Sequence, residues 1–101
     1  MRTVVVTYKT TEEYAETNAA RVRAVYEELR SKQLGGVRYS TYRLEAGQRF
    51  VHIASVESSE ANPITALDSF KTFQEQLRPH CAEPVVVTEA TIVGSYDSFG
   101  S

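Results

Sequence analysis

Residues 37–44, VRYSTYRL, and 49–56, RFVHIASV, flank the four residues EAGQ at 45–48. The reading of this stretch decides the fold. Both runs are rich in β-branched and aromatic residues, which suit a pleated surface. A short connection containing glycine between two such runs predicts a hairpin. In the second run His52 stands among Phe50, Val51 and Ile53, where a valine would pack better. Strand alternation places it on one face with Phe50 and Ala54. Its cross-strand neighbours depend on the turn. A two-residue AG loop sets His52 opposite Thr41, with Tyr39 and Arg43 diagonal. A three-residue EAG loop sets it opposite Ser40, with Arg38 and Tyr42 diagonal. Either register gives the imidazole a hydroxyl opposite, with a tyrosine and an arginine nearby.

Working outward, residues 3–8, TVVVTY, read as a strand. Thr10 followed by Glu13 has the capping-box pattern that opens a helix. Ala15, Ala19, Val22, Tyr26 and Leu29 then form one apolar stripe, and Gly35 and Gly36 end the helix. Beyond the hairpin, ESSEA at 57–61 is a polar loop. Asn62 before Pro63 predicts the start of a second helix, with Asn62 as its cap. Ile64, Leu67, Phe70, Phe73 and Leu77 give that helix an inward face, and Pro79 limits it. VVVTEATIV, residues 85–93, follows Pro84 as the last strand. The order β-α-β-β-α-β predicts a single α+β domain over residues 1–101. It is a ferredoxin-like sandwich: a four-stranded antiparallel sheet with both helices on one face.

A sheet covered on one side should turn polar residues to the other. Here both faces carry apolar residues: Val4 and Val6 against Val5; Phe50, Ala54 and Val56 against Val51 and Ile53; Val85, Val87 and Val93 against Val86, Ala90 and Ile92. A chain of 101 residues has no further element for the second face, so a homodimer packed sheet against sheet is expected.

A net charge of -2 gives no electrostatic case for nucleic acid or an anionic membrane. The N-terminal MRTVVVTYKTTEE has too short an apolar run for a leader or a membrane span. Cys81 is the single cysteine and forms no intrachain disulfide, so the cytosol is the expected compartment. With two histidines and one cysteine, a zinc site is not expected, and no glycine pattern marks a phosphate or cofactor loop.

His52 leads the candidates for chemistry, since an imidazole titrating near ~6.5 can move a proton at neutral pH. Tyr39 or Tyr42 could hydrogen-bond a phenolic ligand, and Arg43 or Arg38 could hold a carboxylate or an enolate. Phe70 and Phe73 suit the core or the wall of a pocket under the second helix. Tyr26 reads as packing. Tyr14 lies off the stripe, where it could shield a sheet edge or a pocket mouth, and Tyr96 could reach a partner subunit.

The element order, YRLEAGQRFVHIASVES at 42–58 and LDSFKTFQEQL at 67–77 resemble the dimeric α/β-barrel superfamily, and within it the antibiotic-biosynthesis-monooxygenase group. The likeness spans residues 2–96. It implies two sheets closed into a barrel across a homodimer, and a small aromatic or oxygenated ligand between the sheet and the helices. Activities known in the group include cofactor-free oxygenation of phenolic polycycles, quinol oxidation, haem breakdown and lactone isomerisation. The chain departs from the pattern in three places. It has no tryptophan; Ala54 and Val56 stand at the usual acidic and aromatic places of the third strand; and His80 follows Pro79, where haem-degrading relatives carry a histidine inside the second helix. The resemblance therefore implies a cofactor-independent, monooxygenase-like protein acting on an oxygen-bearing aromatic or enolisable compound, with His52 as base. The alternative is a non-catalytic homodimer that binds a small hydrophobic metabolite.

Overall fold

A computed structural model describes residues 2–57 and 62–96. Strand β1 (Arg2–Thr10) leads to helix α1 (Ala15–Lys32), strands β2 (Val37–Arg43) and β3 (Arg49–Val56), helix α2 (Asp68–Leu77), a 3₁₀ turn (Arg78–His80) and strand β4 (Cys81–Ala90). The sheet runs β2-β3-β1-β4, with every neighbouring pair antiparallel. This is the ferredoxin-like arrangement that the element order predicts. Tyr8, Val25, Phe50, Leu67, Phe73 and Leu77 form the centre of the core between one sheet face and the two helices.

The hairpin takes the two-residue register: Thr41 pairs with His52 and Arg43 with Phe50. Gly47 makes the turn possible, because its φ of 89° is a conformation L side chains rarely adopt.

Three boundaries differ from those read in the sequence. First, α1 starts at Ala15 rather than at Thr10. Thr10 ends β1, and its hydroxyl donates to the carbonyl of Thr11 at 2.9 Å instead of capping a helix. Turn bonds from Tyr14 N to Thr11 O and from Ala15 N to Glu12 O fill the gap. Gln33, at φ 49°, takes the left-handed position that closes α1, two residues before the glycines.

Second, α2 starts at Asp68 rather than at Pro63. Asn62 caps a turn: its Oδ1 accepts the Ile64 N–H at 3.0 Å, and the Thr65 hydroxyl donates to the Asn62 carbonyl. The turn folds Ile64 and Leu67 inward, each 2% exposed. The cap of α2 comes from the other helix. Glu28 Oε1 accepts both the Ser69 N–H, at 3.0 Å, and the Ser69 hydroxyl. Those two bonds hold the Glu28 carboxyl below its ordinary range.

Third, β4 spans 81–90 instead of 85–93. Pro84 lies inside it, which is tolerated because β4 is an edge strand. The register also slips between Thr7/Val86 and Lys9/Glu83, opposite Pro84 and Val85. Ile92 and Val93, counted above as strand residues, lie beyond the sheet and are exposed.

The face away from the helices carries Val5 paired with Ile53, and Val51 and Val86 on either side of Thr7, across three strands. Ile53 and Val86 are 37% and 53% exposed. Hydroxyl residues alternate with this band. Two of them, Thr3 and Ser55, bond each other at 2.7 Å. No described helix is long and apolar enough to cross a membrane.

Candidate functional site

Side chains on the helix-facing side of the sheet do not fill the space beneath α2. A cavity of about 390 Å³ remains, walled by Val4, Val6, Ala54, Val85 and Val87 from the strands and by Phe70, Phe73 and Leu77 from α2. That volume suits a small organic molecule. Ala54 contributes to the space, since a larger residue there would project into it.

His52, Tyr8 and Tyr39 form the polar part of the wall on the sheet side, and Asn62, Thr65, Gln74 and Arg78 add polar groups on the side of α2 and the turn before it. The His52 ring is buried, and protein hydroxyls hold it at both nitrogens. Nε2 lies 2.8 Å from the Tyr8 hydroxyl. Nδ1 lies 2.7 Å from the Tyr39 hydroxyl and 3.0 Å from the Thr41 hydroxyl. The chain of bonds continues at each end. Asn18 Nδ2 donates to the Tyr8 oxygen at 2.8 Å, and Thr41 Oγ1 lies 2.8 Å from the Tyr26 hydroxyl. Helix α1 therefore anchors the ring at both ends, through Asn18 by way of Tyr8 and through Tyr26 by way of Thr41.

The Asn18 amide gives this chain a direction. Asn18 donates to the Tyr8 oxygen, so the Tyr8 proton turns to His52 Nε2, its sole acceptor among the described residues. A neutral imidazole then carries its proton on Nδ1 and donates it to Tyr39 or Thr41. Ring contacts fix the same group. Tyr39 stacks on Tyr26 with centroids 5.0 Å apart, and His52 leans on Phe73 at 5.5 Å.

Burial sets the protonation. The apolar surroundings pull His52 down to about 4, because a buried cation loses its hydration. Burial also raises the phenols: Tyr26 to about 12, and Tyr8 and Tyr39 further. At pH 7 the whole cluster is neutral.

The residues singled out in the sequence divide by place. His52, Tyr39, Phe70 and Phe73 meet at the cavity. Tyr42 and Arg43 do not line it. Tyr42 is 42% exposed and pairs across from Val51, on the face away from the helices. Arg43 reaches along the hairpin, donating to the Gly47 carbonyl and, at 2.7 Å, to Glu16. His80 stacks on Tyr14 with centroids 4.2 Å apart, and Cys81 is half-buried with its thiol toward the Leu77 carbonyl. Tyr96 is exposed at the end of the described chain.

The sequence reading missed Tyr8 and Asn18. Asn18 carried a signal, because it stands three residues after Ala15 and four before Val22, inside the apolar stripe. A fully buried amide at such a position needs a partner.

No known family profile matches the chain, and no curated protein matches it. Solved structures do. A protein named antibiotic biosynthesis monooxygenase superposes with a TM-score of 0.77 at 16% identity, covering 93% of this chain and 100% of that one. A Nitrosomonas europaea protein provisionally given the same name scores 0.78 at 16% identity, with the same coverage. A Caulobacter crescentus protein, also provisionally so named, scores 0.72 at 18% identity, covering 92% of this chain and 90% of its own. Likeness at this identity speaks to architecture. The chain has the ferredoxin-like α+β fold of the antibiotic-biosynthesis-monooxygenase group.

Proposed function

We propose that the chain binds a small oxygen-bearing aromatic or enolisable molecule in the cavity under α2 and acts on it as a cofactor-independent oxygenase, as one half of a homodimer. The observation that carries this reading is the imidazole held between two phenols in the wall of a largely apolar cavity. A ligand hydroxyl or activated C–H placed against Tyr8 would pass its proton through that phenol to Nε2 of His52. The resulting carbanion or phenolate gives an electron to dioxygen. For a ring CH₂ oxidised to C=O, two C–H bonds break, one oxygen atom stays in the product and the other leaves as water.

The energetics are demanding but workable. Moving a proton from an acid of pKa near ~10 to His52 at about 4 is uphill by roughly 8 kcal/mol. One turnover per second allows a barrier of about 17 kcal/mol. A second reading, binding without chemistry, is favoured by the occupancy of both His52 nitrogens, which leaves no lone pair facing a ligand. Oxygen uptake with anthrone-like compounds and quinols separates the two. The oxygenase reading expects turnover that His52→Gln lowers at least a hundredfold, while the ligand still raises the melting temperature. A melting shift in the wild type with no oxygen consumed leaves binding alone. No shift and no turnover removes both readings.

The homodimer reading is supported by the Val5, Val51, Ile53 and Val86 band. Light scattering at micromolar concentration is expected to give twice the 11.3 kDa chain mass, and Ile53→Glu, which puts a charge in the middle of the band, is expected to give the monomer. A wild-type monomer would remove this part of the proposal.

A further inference from the structure

The cavity wall contains a single formally charged side chain, Arg78. Every other lining residue is apolar or neutral, His52 included. Arg2, Arg43 and Arg49 each hold a carboxylate, whereas the Arg78 guanidinium has no ion pair or hydrogen bond among the described residues. Gln74 lies one helical turn before it and also lines the cavity, again with its side-chain amide unpartnered among the described residues. The position is built into the chain direction: the Arg78 N–H bonds the Gln74 carbonyl at the end of α2, and Pro79 then turns the backbone. Arg78 is exposed, and it also borders a second, shallower recess beside Cys81 and Pro84. It thus stands where the cavity meets solvent.

A side chain at the end of a helix needs no ligand to be favourable, because a cation there complements the helix dipole. That accounts for a charge near Leu77; what it leaves open is the placement, one turn apart on the same rim, of two exposed donors that both border a largely apolar chamber. We infer that the ligand is an aryl or fused-ring carboxylic acid. Its apolar body lies under Phe70 and Phe73, and its carboxylate sits at the rim on Arg78 and Gln74. The inference rests on the ligand-binding reading above and narrows its substrate class. It also gives the bound molecule an orientation, with the carboxylate outward and the opposite end of the ring system toward Tyr8, Tyr39 and His52. A guanidinium matches a carboxylate with two parallel N–H donors, and its exposure limits the gain to about tenfold in affinity.

The test compares 2-naphthoate with its methyl ester by calorimetry at pH 7.5, in the wild type, Arg78→Gln and Arg78→Lys. The expected result is about tenfold tighter binding of the acid to the wild type. Arg78→Gln should abolish that preference and leave the ester unchanged, and Arg78→Lys should restore part of it. Raising the salt from 50 to 500 mM should weaken the acid and spare the ester. If the ester binds and the acid binds no tighter, or if the preference survives Arg78→Gln, the carboxylate inference falls and the cavity reading stands. If neither probe binds, both fall. The Arg78 side chain is exposed and has no hydrogen bond or ion pair among the described residues, so both variants are expected to melt with the wild type.

Discussion

Between pH 6.5 and pH 4 the protein is expected to lose about 3 kcal/mol of folding stability through His52 alone. In the unfolded chain this histidine titrates near its ordinary value of ~6.5. In the folded chain burial pulls it down to about 4. Below pH 6.5 the unfolded state therefore binds a proton that the folded state refuses, and stability falls with pH until the folded ring titrates as well. The stability is fully present above pH 6.5. The expected slope approaches 1.4 kcal/mol per pH unit, the value for one proton. Carboxylates that are hydrogen-bonded in the fold, on Glu16, Glu28 and Glu83, lose their contributions only lower, as they protonate. The interval from pH 6.5 to 4.5 therefore isolates the imidazole. Urea unfolding at half-unit steps across it measures the slope. His52→Gln keeps a donor and an acceptor and cannot ionise, so its curve should be flat there. A flat wild-type curve would mean that water or an anion reaches the ring, and the closed cluster would have to be abandoned.

The hairpin was legible because β propensity and a glycine-containing connection are local. Its register was not, since EAGQ admits two turns and a glycine at 47 suits either; the pairing of Thr41 with His52 shows only in the folded hairpin, where the Leu44 N–H bonds the Arg49 carbonyl across the loop. Helix starts failed for a related reason. Thr10 and Asn62 have the composition of helix caps, but the first spends its hydroxyl on a carbonyl and the second closes a turn. The group that caps α2, Glu28, lies 41 residues earlier on another helix. Pro84 reads as a strand boundary locally, and only the strand order, which leaves β4 at the edge, permits it inside. Phe70 and Phe73 have the same spacing whether they fill a core or wall a cavity. The difference lies in what faces them, including a small residue, Ala54.

Tyr8→Phe is expected to cost roughly 2–5 kcal/mol, although the ring itself is kept. Tyr8 is 1% exposed, stacked on Phe50 at 5.5 Å, and phenylalanine fills nearly the same volume. Packing therefore contributes little to the change. The cost comes from what the hydroxyl joins. Without it, His52 Nε2 and Asn18 Nδ2 both lose their partners, and both belong to buried residues. Each orphaned polar group costs about 1–3 kcal/mol. Asn18 has nothing to fall back on, since its Oδ1 already lacks a partner among the described residues. The two positions should therefore be strongly coupled. Adding Asn18→Leu to Tyr8→Phe removes one of the two orphans, and leucine suits the apolar stripe of α1. The double variant should be more stable than the sum of the single losses implies, by about 1–2 kcal/mol. Chemical denaturation of the wild type, both single variants and the double variant measures that coupling. Additive losses, or a Tyr8→Phe variant within about 0.5 kcal/mol of the wild type, would show that the hydroxyl does not bridge helix and histidine, and the directed path from Asn18 to the cavity would be lost with it.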